Sequence, residues 1–271
     1  MSFKFPELWT ESSNAAFALV KDHLDKCQHL IKWKQSESIL EIGLGTGHNS
    51  LRTLFPLLPD DYKEFIGSDT SEEMVEFAKK HFNIPKSTVR KLDVCAGVPI
   101  EFEERFDHVF GFLVMHTVKT PREAFVNIKR MLKPGGSAFL TFFERSSAQK
   151  AFEKLKDSTK WSRYVHEESP FPYSYSENPR EDFVKDIESV GFQQYELKPV
   201  NDTYEFGEEE FIDLHLAVNP AIPFIPKELQ EEYKKDYINE LYETPMFTVK
   251  TNNGRKTIVM NSKSLILYAT K

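Results

Sequence analysis

The stretch Ile39-Leu40-Glu41-Ile42-Gly43-Leu44-Gly45-Thr46-Gly47 decides the fold of this chain. A short apolar, β-prone run carrying one acidic residue passes into glycines at every second position. Asn49-Ser50-Leu51-Arg52-Thr53-Leu54 then reads as the start of a helix. Strand, glycine loop and helix in that order form a nucleotide-recognition loop in a parallel α/β sheet. Glycine lacks a Cβ and accepts positive φ, so a ligand can lie against bare backbone there. The spacing is G-x-G-x-G. It departs from the dinucleotide fingerprint G-x-G-x-x-G, because His48 stands three residues after Gly45 where a small residue is needed. No Gly-Lys-Ser/Thr follows, which argues against a phosphate-cradling P-loop.

Outward from this loop, strands and helices alternate, and alternation implies a mostly parallel sheet. The second strand, Phe65 to Ser68, ends at Asp69; a helix containing Met74 follows, with Thr70 or Ser71 as its cap. A carboxylate at that strand end can accept from both hydroxyls of a ribose, or it can cap the helix. The third strand, Thr88 to Leu92, ends in Asp93, next to Val94. The fourth, Phe106 to Met115, is a long apolar run that includes Phe112, as expected of a buried central strand. His116 and Thr117 stand at its carboxyl end, where such sheets bind ligands. A helix from Pro121 to Leu132 and a turn at Lys133-Pro134-Gly135-Gly136 lead into a fifth strand, Ser137 to Phe143.

Beyond Phe143 the alternation lapses. Ala148 to Ser158 and Arg180 to Val190 read as helices, separated by an aromatic, proline-rich segment from Trp161 to Pro179. So many aromatic residues in a long loop argue for order, and His166, Tyr173 and Tyr175 are its candidate lid residues. Gln193 to Phe206 reads as strand six. Lys256 to Asn261 with Ser264 to Ala269 reads as strand seven, or as two short strands. Between them lies an insertion with helices expected at Glu208–Ala217 and Pro226–Leu241. Ahead of everything, residues 7–34 have a helical period with Ser13 or Asn14 as cap, and Trp9 and Trp33 near the two ends. A helix ahead of the first strand is no crossover, so it must pack across the sheet or over the site.

Composition narrows the function. A 40% hydrophobic share and a mean hydropathy of -0.47 describe a globular protein with a core of its own. The net charge of -7 disfavours a nucleic-acid substrate, since phosphate backbones call for basic patches. The cysteines, Cys27 and Cys95, have no metal-ligand spacing and suit a reducing, cytoplasmic compartment. The first residues lack the apolar core of a signal peptide, and no run of about eighteen apolar residues is present to span a membrane. The 23 phenylalanines fit a Phe-rich core, or an apolar acceptor pocket.

The Gly43-x-Gly45-x-Gly47 loop with Glu41 ahead of it, the strand-end Asp69 and Asp93, and the Leu132-Lys133-Pro134-Gly135-Gly136 turn resemble the class I S-adenosylmethionine-dependent methyltransferases. More specifically, Ile31-Lys32-Trp33-Lys34, Asp69 to Met74, Arg122 to Ile128, Ala217-Val218-Asn219-Pro220 and Ile225 to Leu229 resemble the juvenile hormone acid methyltransferases, and the similarity spans nearly the whole chain. The resemblance implies an α/β fold with a seven-stranded, mostly parallel Rossmann-like sheet, an antiparallel last strand and a helical cap insertion. It implies one domain over 1–271: an N-terminal helical segment 1–34, a cofactor-binding core 35–145, and cap or acceptor-site insertions 146–180 and 207–253. S-adenosylmethionine is the implied cofactor, held by Glu41, Gly43, Gly45, Gly47, Asp69, Thr70, Met74, Asp93, Val94 and Phe112. Trp9, Ala16, His116, Thr117 and Tyr175 are the implied acceptor-site residues, with His116 as the catalytic candidate. The implied acceptor is a small molecule, a lipophilic carboxylic acid.

The chain departs from that family at two places. A glutamine of the family corresponds to Ala16 and a tryptophan to Thr117, both regarded as substrate-site residues there. An intact cofactor half beside an altered acceptor half implies a changed acceptor. A carboxylate is ionised near neutral pH, with a pKa like that of a glutamate side chain, and needs no base. His116 would then orient it; toward a phenol or alcohol His116 would instead serve as base. A phenol- or amine-directed enzyme, and a ligand-binding paralogue without turnover, are the alternatives.

Overall fold

In the computed structural model, residues 4–146, 148–165, 171–173, 176–252 and 254–271 are described. The glycine loop follows β1 (Ser38–Ile42), every residue of which is buried. Its parallel neighbours are β2 (Glu64–Asp69) on one side and β4 (Phe106–Phe112) on the other. β3 (Ser87–Lys91) extends the first side; β5 (Leu132–Phe143), β8 (Arg255–Thr270) and β6 (Gln194–Gly207) extend the second. The order is β3-β2-β1-β4-β5-β8-β6, with β8 antiparallel to both neighbours. Strand order reverses between β1 and β4, and the crevice at such a switch point is where open α/β sheets bind ligands.

Side chains alternate across the strands as the two-residue period requires. Leu40, Ile42, Ile66, Val109, Leu140 and Leu267 face one core, covered by α5 (Pro121–Met131) and α7 (Pro179–Val190). Ile39, Phe65, Phe110, Phe139 and Ile266 face the other, beneath the C-terminal half of α2 (Asn14–Cys27), with α3 (His48–Thr53) and α4 (Glu72–His81). A third core lies beyond the sheet's carboxyl edge. It joins α6 (Gln149–Lys156), α8 (Glu208–Ala217) and α9 (Gln230–Tyr242) to the far ends of β6 and β8. Ala15 and Leu19, in the first half of α2, belong to it. One helix therefore spans the cap and the sheet.

Four expectations are revised. The segment 7–34 is two helices, α1 (Pro6–Ser12) and α2, followed by a 3-10 turn at Gln28–Leu30. The break falls at Ser13, whose hydroxyl donates to Asn49 Oδ1 at 3.4 Å instead of capping α2. β4 stops at Phe112, because Leu113 adopts φ 55° and Met115–Thr117 forms a 3-10 turn. The Lys133–Gly136 turn is a bulge inside β5: Phe106 pairs with Leu132 but His108 with Ser137. The last strand is continuous from Arg255 to Thr270, and an eighth strand, β7 (Phe247–Asn252), pairs with it from within the segment assigned to the cap.

Candidate active site

Two cavities meet above the carboxyl ends of β1, β2 and β4. The larger, about 560 Å³, is the crevice at the switch point. Gly43 and Gly45 line it with φ of 68° and 60°, left-handed values that suit glycine. A Cβ on Gly43 would lie 2.2 Å from Val114 Cγ2, so the loop can pass here only as bare backbone.

Asp69 ties the crevice together. Its Oδ2 accepts from the Gly45 N–H and its Oδ1 from the Ser71 N–H, both at 2.9 Å. The helix cap is Ser71, whose Oγ accepts from Met74 N at 3.2 Å, so Asp69 is free of that duty. Burial raises its pKa against these backbone donors. Glu41 lies deeper. Its Oε1 accepts from Ser50 Oγ at 2.6 Å, while its Oε2 is buried with no hydrogen-bond partner among the described residues. Burial first, and then the charge of Asp69, push its pKa up to about 8. Thr70, Phe112, Val94 and Asp93 complete the crevice. Asp93 Oδ1 accepts from Cys95 N at 2.9 Å, and Asn127 Nδ2 donates to Val94 O at 2.8 Å, fixing the turn. A buried carboxyl oxygen with no hydrogen-bond partner among the described residues, beside two bare glycines, fits a polar ligand that lies against the loop backbone.

Gly47 and Met74 do not line the crevice. Gly47 is the left-handed N-cap of α3, where a Cβ would sit 2.4 Å from the Phe82 ring, and Met74 is fully buried in α4. Gly47 packs the end of the loop against Phe82.

The second cavity, about 90 Å³, is mostly apolar, with Leu19, Phe143, Phe171, Phe206 and Met260 in its wall beside the polar His116, Thr117, Ser146 and His215. Trp9, Ala16, Leu113 and Thr117 line both cavities and form the passage between them. Trp9, on α1, also covers Gly45, its Nε1 lying 3.4 Å from where a Cβ would stand. His116 faces the apolar cavity with its ring edge-on to Phe143 at 4.8 Å. The Phe143 N–H donates to Nδ1 at 3.4 Å. Burial alone lowers the His116 pKa to about 3.

Tyr173 is no lid: its ring packs on Phe183 in the sheet core and its hydroxyl donates to Asp186. His166 and Tyr175 lie outside the described residues. A second histidine in the cavity, His215, was not singled out in the sequence. Its Nδ1 donates to Phe211 O at 2.7 Å on the same helix, and burial lowers its pKa to about 4. The only signal was the Phe211-x-x-x-His215 spacing, which is ordinary for a packed helix. Ser50, which holds Glu41, follows the glycine loop directly and was legible only as a helix start.

Residues 40–140 match the family described as methyltransferase domain. Over almost all of its length the chain is similar to juvenile hormone acid O-methyltransferases. It is 28% identical to that of Bombyx mori over 94% of this chain and 92% of the relative, and 29% identical to that of Drosophila melanogaster over 92% and 86%. The chain is an S-adenosylmethionine-dependent methyltransferase. It resembles the juvenile hormone acid enzymes. S-adenosylmethionine is its methyl donor. Among solved structures, BH2331 of Bacillus halodurans shares the fold, with a TM-score of 0.57 at 21% identity over 92% of this chain and 98% of that one.

One expectation about the methyltransferase follows at this point. Asp69→Ala releases the Gly45 and Ser71 amides together, so donor affinity measured by calorimetry is expected to fall by about 1.5–3 kcal/mol or more. Unchanged affinity with a lowered melting temperature would reduce Asp69 to a loop brace.

Proposed function

We propose that the methyltransferase transfers the methyl group of S-adenosylmethionine to the carboxylate of a lipophilic small molecule. The observation that carries this reading is the apolar cavity that opens on the crevice at Ala16 and Thr117, with His116 in its wall. In this reading Glu41, Gly43, Gly45, Asp69, Thr70, Asp93, Val94 and Phe112 hold the donor, Gly47 turns the loop into α3, and Met74 stays buried in α4. Trp9, Ala16, His116 and Thr117 face the acceptor, and the cap closes the site against water.

The donor supplies an electrophilic methyl group when bound. The protein's own task is then alignment of the acceptor and exclusion of water. A carboxylate fits a site of this kind, because it arrives ionised and its alkyl body buries against phenylalanine and leucine. The acidic surface speaks against a nucleic-acid acceptor. Among the described residues no helix is long and apolar enough to cross a membrane. Two free thiols, Cys27 and Cys95, suit a cytoplasmic setting.

A screen of acids, phenols and amines with labelled donor tests the reading. Methyl esters of compact lipophilic acids are the expected products, and labelling of phenols or amines alone would overturn it; so would donor binding with no product from any class. With Ala16 and Thr117 at the passage, turnover of farnesoic acid is expected to be poor. The double variant Ala16→Gln with Thr117→Trp should raise it by tenfold or more, since an amide hydrogen bond to a carboxylate is worth about 1.5–3 kcal/mol. A folded, donor-binding double variant with no gain would detach these positions from acceptor choice. Strong farnesoic acid turnover by the unaltered protein would do the same.

A further inference from the structure

The hydrogen bonding of His116 distinguishes the two roles open to it. A backbone N–H can only donate, so the nitrogen facing the Phe143 amide, Nδ1 at 3.4 Å, presents its lone pair. A neutral imidazole carries one N–H and one lone pair. The proton is therefore on Nε2. Turning the ring over would leave the Phe143 amide without its acceptor and would disturb the edge-on contact with the Phe143 ring. That cost falls in a wall where His116 is only 8% exposed.

We infer that His116 presents Nε2–H to the acceptor as a hydrogen-bond donor, not as a base, and so selects an acceptor group that is already an anion. This rests on the reading of the apolar cavity as the acceptor site. The neighbouring polar groups agree. The Thr117 hydroxyl donates to Val114 O at 2.8 Å. His215, bonded through Nδ1–H, has its lone pair on Nε2, but its ring packs among Phe206, Phe211 and Phe247. None of those three lines the donor crevice, whereas Leu113 and Thr117, on either side of His116, both do. Both histidines stand in the wall of the apolar cavity; His116 carries its proton on Nε2 in the turn that also bears the passage residues Leu113 and Thr117, and His215 packs among the phenylalanines of the third core. A carboxylate meets this arrangement: one of its oxygens accepts from Nε2–H, and the other forms the new O–CH₃ bond. The S–CH₃ bond breaks with its electron pair retained on sulfur, and no proton is released. A phenol or protonated amine would have to lose one proton per turnover.

Two measurements test this. The first is the ¹⁵N spectrum of the histidine-labelled protein, with His116 assigned by comparison with His116→Leu. A protonated Nε2 is expected; a protonated Nδ1 would overturn the inference whatever the acceptor proves to be. The second is proton release per S-adenosylhomocysteine formed, followed with a pH indicator in weak buffer near neutral pH. Zero is expected, and one would overturn it. His116→Leu should lower kcat/KM roughly tenfold to a hundredfold, the scale of one hydrogen bond to a charged group. His116→Gln, which again offers an N–H, should recover much of the loss. Gln as inactive as Leu, with donor binding intact in both, would count against a donor role. Should no acid, phenol or amine yield product, the proposed function falls while the spectrum still decides the tautomer.

Discussion

Glu41→Gln is expected to raise the melting temperature strongly at pH 9 and hardly at all near pH 4.5. Glu41 is sealed under the glycine loop, with one oxygen bonded to Ser50 and the other without a partner among the described residues. Its carboxyl prefers to stay protonated, with a pKa pushed up to about 8 from the ordinary 4.5. Between those two values the folded protein holds a proton that the unfolded chain has released. Stability from this residue is therefore full below about pH 4.5, declines as pH rises, and is gone above about pH 8. Glutamine keeps an acceptor for Ser50 and cannot ionise, so it escapes the loss, which is on the order of a few kcal/mol. Melting curves of both proteins across this range check it, and a difference independent of pH would mean that Glu41 titrates normally. The donor carries positive charge, so binding should favour the ionised carboxylate. Donor affinity of the unaltered protein is then expected to rise with pH up to about 8, and that of Glu41→Gln to stay level.

Gly43→Ala is expected to cost donor affinity about a hundredfold or more. Two independent strains are imposed. The φ of 68° suits glycine, and the added Cβ would sit 2.2 Å from Val114 Cγ2. Val114 follows the left-handed Leu113, so giving way moves the β4 turn that carries His116 and Thr117. The double variant Gly43→Ala with Val114→Ala relieves the collision but leaves the backbone strain. It should recover part of the affinity in calorimetry. Full affinity in the single variant, with fold retained, would remove Gly43 from the donor site.

What the sequence made legible was local. β1, the glycine loop and α3 are contiguous, and β1, β4 and β5 each carry an apolar run beside their own turn. The carboxylates Asp69 and Asp93 were visible because strand ends are visible. The failures have a common physical cause, contacts made across the fold. Ser13 separates α1 from α2 with its hydroxyl turned to Thr10 O and, far along the chain, to Asn49 Oδ1. Leu113 ends β4 with a left-handed backbone that nothing in an apolar run announces. β7 was hidden because only Phe247 among residues 247–251 is buried, and the strand is defined by its backbone pairing with β8. Tyr173 looked like a lid residue because it sits in an aromatic loop, yet a phenylalanine and an aspartate of α7 draw it into the core. Ala16 and Thr117 were placed by resemblance. Their meeting at one passage depends on α2 lying over the β4 turn.

The position of β8 has a consequence for how the chain is made. β5 ends at Phe143, and the strand that covers its open edge begins at Arg255. On the ribosome, the parallel half-sheet must wait through the synthesis of the whole cap with that edge bare. The waiting strand presents bare backbone groups at that edge, and its Phe139, Leu140 and Phe142 are buried in the finished fold. β8 then supplies Leu265 and Leu267 to one core, Ile266 to the second, and Ile258 and Met260 to the third. Such delayed pairing over long sequence separation is slow and leaves nascent chains open to misassembly. A nascent chain stalled short of Arg255 would thus present a sticky half-sheet to its neighbours. Chaperone capture is the natural protection for that interval.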